Sequence, residues 1–75
     1  MNLDFFAKLT DKELCAAYEG EMEWMESSTL AEDNPLRALC ENYEVESGEE
    51  IDLAEAIDAV LYEMATRYYK SRVKL

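Results

Sequence analysis

The chain has 75 residues, 49% of them apolar, and sets 18 Asp and Glu against 7 Lys and Arg for a net charge of −11. One domain of this size has a small core, worth about 3–5 kcal/mol, and the apolar content excludes a disordered chain while two Gly and one Pro leave little room for the turns of an all-β fold. The charge argues against DNA, RNA or an anionic membrane as a direct partner, since all three are polyanions.

Residues 2–8, with Leu3, Phe5 and Phe6, are expected to form a short helical turn capping the core. Thr10-Asp11-Lys12-Glu13 then reads as a capping box, with Leu9 and Leu14 at the staple positions. A helix over 11–27 follows, with an apolar stripe of Leu14, Ala17, Tyr18, Met22 and Met25 and with Trp24 at its flank. Gly20 inside it costs about 1 kcal/mol against Ala, or marks a close approach by another part of the chain.

Asn34-Pro35 opens the next helix as N-cap and first helical residue, and Leu36, Leu39, Cys40 and Tyr43 carry it over 35–45. Ser47-Gly48-Glu49-Glu50 has the form of a second capping box. From it a long helix over 49–71 is expected, with Leu53, Ile57, Val60, Leu61, Met64 and Tyr68 as its apolar stripe and Lys70, Arg72 and Lys74 complementing the dipole at its end. About 23 residues at 1.5 Å each span roughly 35 Å, more than the ~30 Å diameter of a small domain. Either the basic end projects, or a second copy of the chain covers the overhang as a homodimer through this helix. The expected fold is all-α: residues 1–75 as a single three-helix bundle with an extra N-terminal helical turn and a long C-terminal helix.

The sequence carries no recognisable catalytic motif. Without His the chain lacks the commonest general base and zinc ligand. Cys15 and Cys40 have no activating neighbour, Glu41 disfavours a thiolate, and both read as reduced thiols packed as small hydrophobes. The run 44–52 lacks the alternating ligands of a calcium loop. The chain therefore reads as a non-enzyme with no cofactor and no metal. Its N-terminus lacks the basic and apolar regions of a signal peptide and no apolar run is long enough to span a bilayer, so a cytoplasmic location is expected. In size and charge the chain is reminiscent of acyl carrier proteins, but neither Ser28 nor Ser47 sits in the Asp-Ser-Leu motif that carries that family's cofactor.

All 18 acids precede residue 64, opposed only by Lys8, Lys12 and Arg37, which gives a body of −15 and a tail of +4. Such an excess destabilises the compact state through self-repulsion, so a role for it is sought in a partner. Glu19, Glu23 and Glu26 fall at i, i+4 and i+7 on one helix; Asp52, Glu55 and Asp58 follow at steps of three on another. Like charges at these spacings cost a few tenths of a kcal/mol each, and a merely solvated face would mix in Lys. Rows of carboxylates approximate rows of phosphates. The chain thus resembles, in kind only, the small acidic proteins of phages and mobile elements that block restriction or CRISPR effectors. That resemblance implies a nucleic-acid mimic that binds the basic surface of a nucleic-acid-handling enzyme and inhibits it. The competing expectation is a helical adaptor that binds or self-associates through an apolar face, with the charge serving solubility.

Overall fold

The computed structural model describes residues 1–73, so Lys74, expected among the cations of the last helix, lies outside the described residues. The described residues form four helices and no strand: α1 Leu3–Ala7, α2 Asp11–Ser27, α3 Pro35–Ser47 and α4 Leu53–Val73. The all-α bundle with a short N-terminal turn is therefore present. Its dimensions are 42 × 30 × 18 Å.

Local chemistry sets each start. Asn2 caps α1 by accepting from the Asp4 amide. The expected box at α2 is complete, with the Glu13 amide donating to Thr10 Oγ1 at 3.1 Å and the Thr10 amide to Glu13 Oε1 at 2.8 Å. Asn34 caps α3, its Oδ1 accepting from the Leu36 amide at 2.9 Å. Ser28, left-handed at φ 58°, ends α2.

The start of α4 is a correction. The chain does not use Ser47 to Glu50 as a capping box: α3 continues to Ser47, two residues beyond the expected end, and Gly48 closes it at φ 75°. Glycine reaches that conformation without steric cost, so a helix stop outcompeted a helix start. Residues 48–52 then run back along α3, the Ile51 amide donating to Glu44 Oε2. The true box is Asp52 with Glu55: the Glu55 amide donates to Asp52 Oδ1 at 2.8 Å and the Asp52 amide to Glu55 Oε1 at 3.1 Å. Hence α4 begins at Leu53 rather than near 49 and is helical through Val73, beyond the expected bound near 71.

Leu53 lies beside Leu30, Leu36 and Cys40, whereas Arg67 reaches Asp11. So α4 opposes α2 and runs alongside α3. The core is Phe6, Leu14, Ala17, Leu36, Leu39, Tyr43, Ile51, Ala56, Ile57, Ala59 and Val60. Phe5, Phe6 and Tyr43 pack together, the first edge-on to the other two with centroids 5.2 and 5.3 Å away. The Tyr43 hydroxyl accepts from the Asn2 amide and donates to Glu49 Oε1, both at 2.7 Å, which ties α1 to the α3–α4 connection.

Two expected stripes are turned from their predicted phase. On α2 the buried residues are Leu14, Ala17 and Gly20, with Trp24 packed against the core, while Tyr18, Met22 and Met25 stand exposed. On α4 the small residues Ala56 and Ala59 join Ile57 and Val60 inside, leaving Leu61 and Tyr68 exposed. Alanine and glycine let the neighbouring backbones approach, so the closest-packed side of each helix is its small-residue side rather than its bulkiest.

Candidate protein-binding surface

Glu19, Glu23 and Glu26 are exposed. At 100° per residue they lie on the side of α2 opposite Ala17 and Trp24, fixed outward by the burial of that other side. Asp58 is likewise exposed on α4, opposite Val60. Asp52 and Glu55 are also exposed, but each carboxylate already accepts a backbone amide in the box that starts α4. The two rows are thus not equivalent: on α2 all three carboxylates have no hydrogen-bond or ion-pair partner among the described residues, on α4 only Asp58 has none.

The arginines are committed elsewhere. Arg67 takes up both ion pairs found among the described residues: its Nε lies 2.7 Å from Glu63 Oε2 and its Nη1 2.7 Å from Asp11 Oδ1. Its Nη2 also donates to the Ala7 and Leu9 carbonyls, at 3.2 and 2.6 Å. The hydrogen bond to Glu63, then that to Asp11, holds the guanidinium above its ordinary value. Arg37 bonds the Leu30 and Ala31 carbonyls at 2.6 and 2.8 Å rather than any acid. Lys8 and Lys12 are exposed and make no ion pair among the described residues. Arg72 stacks over Tyr68, 5.1 Å from the ring centroid. None of these contacts reaches Glu19, Glu23 or Glu26.

Beside that row lies a surface cavity lined by Tyr18, Glu21, Met22, Met25 and Glu26. Sequence periodicity missed Glu21: its residue is half-buried, and its Oε1, shielded from solvent, has no hydrogen-bond donor among the described residues. The signal available was Trp24, because phasing α2 on Leu14, Ala17 and Trp24 turns Glu21 inward and Tyr18 and Met25 to the margin. Cys15 is exposed and Cys40 half-buried, and both are free thiols. Burial first, then Glu44, Asp52 and Glu41, push the Cys40 thiol up from its ordinary value. The expectation that both cysteines pack inside therefore fails for Cys15.

Among the described residues no three Cys, Asp or Glu converge as a metal site, and no helix is long and apolar enough to cross a membrane. No family model matches the chain, and no curated protein or solved structure matches it.

Proposed function

We propose that this chain is a non-enzymatic binding protein whose acidic α2 face engages a basic, nucleic-acid-binding surface of a partner protein and blocks it. One observation carries the reading: Glu19, Glu23 and Glu26 form an outward row without a cation partner among the described residues, while Arg67 and Arg37 are engaged elsewhere. Glu residues at i, i+4 and i+7 have successive Cβ atoms about 5–6 Å apart on a helix and their carboxylates repel one another, a cost that a basic groove would turn into attraction. Asp58 adds an exposed carboxylate on α4, and Asp52 and Glu55 add charge there although their oxygens cap the helix. An inhibitor of a restriction or CRISPR enzyme, acting in the host cytoplasm, is the form of this function that size and charge suit.

A second reading, an adaptor that docks through apolar side chains, is favoured by the exposure of Tyr18, Met22 and Met25 at 37, 43 and 65%. Reversing Glu19, Glu23 and Glu26 to Lys separates the two. The first reading requires loss of partner binding at low salt with helicity by circular dichroism retained; unchanged binding refutes it.

A further inference from the structure

The acidic row and the exposed apolar side chains share one helix. Tyr18, Met22 and Met25 recur at i, i+4 and i+7, a continuous strip about two turns long, and the cavity they line is edged by Glu21 and Glu26. Glu19 and Glu23 flank the same strip in sequence, and no Lys or Arg occurs between Lys12 and Arg37. Unbranched methionine side chains repack around partners of different shape, which suits a strip that must accept apolar anchors. A rim of one sign calls for Lys or Arg beside those anchors.

We infer that the Tyr18, Met22 and Met25 strip of α2 docks an amphipathic helix of the partner protein, its apolar side chains set at three-to-four-residue spacing and flanked by Lys or Arg. This rests on the reading above that the partner surface is basic, and sharpens it: the contact is helix on helix, anchored by apolar groups and aligned by charge. Charge complementarity selects that occupant over an acidic or neutral helix. The exposed apolar side chains separate it from a phosphate-binding groove that would read carboxylates alone.

The test uses the full chain with methyl-labelled methionine and two probes: a peptide of leucines and lysines at amphipathic helical spacing, and an oligolysine of equal net charge. The amphipathic peptide is expected to bind at least about tenfold more tightly, and to shift the methyl resonances of Met22 and Met25 while leaving those of Met1 and Met64 in place. Met22→Ser with Met25→Ser, both at exposed positions, is expected to equalise the two affinities. Equal affinity for the two peptides in the unaltered chain overturns this inference and leaves the acidic-face reading standing. Binding of neither peptide overturns both. Shifts of Met22 and Met25 with protein concentration alone, in the absence of peptide, would assign the strip to a second copy of the chain and overturn the inference as well.

Discussion

The Asn34 side-chain amide donates to the Gly20 carbonyl at 2.9 Å, and its Oδ1 caps α3 through the Leu36 amide at the same distance, so one buried residue joins two helices. A Cβ at position 20 would overlap Asn34 Oδ1 and stand 3.3 Å from Pro35 Cδ. Gly20→Ala should therefore destabilise the chain by about 1–3 kcal/mol despite alanine's better helix propensity. Thermal denaturation would show a lowered midpoint; a raised one would mean that α2 and α3 do not meet this way.

Asn34→Asp makes a sharper probe of the same pair. Aspartate caps helices as well as asparagine, but it replaces the donor to Gly20 with an oxygen facing an oxygen. A loss of about 1–3 kcal/mol is expected, where a cap acting alone would be unaffected.

Arg67 joins the far half of α4 to the α1–α2 connection through the Asp11 carboxylate and two backbone carbonyls, while Glu63 on α4 itself braces the guanidinium. Lysine cannot reproduce that fork. Arg67→Lys should cost about 1–2 kcal/mol in denaturant unfolding, and part of the loss should persist in high salt because two of the acceptors are uncharged. Arg72→Lys, which alters a contact with the Tyr68 ring, should stay within about 0.5 kcal/mol.

The relocated cap makes a direct comparison possible. Asp52→Ala should cost about 1 kcal/mol, whereas Glu50→Ala, at an exposed position outside both helices, should stay within about 0.5 kcal/mol. Equal losses would restore the box at Ser47.

The two thiols should differ in reactivity. Burial and three neighbouring acids raise the Cys40 pKa, so its thiolate fraction at neutral pH falls and its reaction moves to more alkaline solution. Brief iodoacetamide treatment followed by peptide mass spectrometry should find the adduct on exposed Cys15 first. Prior modification of Cys40 would contradict its placement.

The helices themselves were legible because their starts are written in short-range chemistry: Thr10 with Glu13, and Asn34 with Pro35, behave as their types require. The stop at Gly48 was misread because Ser47 to Glu50 satisfies the capping pattern too, and only the tertiary path of residues 48–52 decides between them. Helix phase was lost for a different reason. Hydropathy favours Met22, Met25, Leu61 and Tyr68, but close packing favours Gly20, Ala56 and Ala59, and size complementarity between helices is not visible one helix at a time. The acidic residues were visible throughout; which of them spend their oxygens on caps was not, since Asp52 and Glu55 look in sequence like Asp58.

A paired capture from cell extract decides whether the α2 carboxylates bind a basic nucleic-acid-handling partner. The unaltered chain and its Glu19→Lys, Glu23→Lys, Glu26→Lys variant serve as baits, eluted by a salt gradient and, separately, by duplex DNA. Basic nucleic-acid-binding proteins are expected on the unaltered bait alone, released by moderate salt and by DNA. The same proteins held equally by the variant, or retained through high salt and excess DNA, would contradict it.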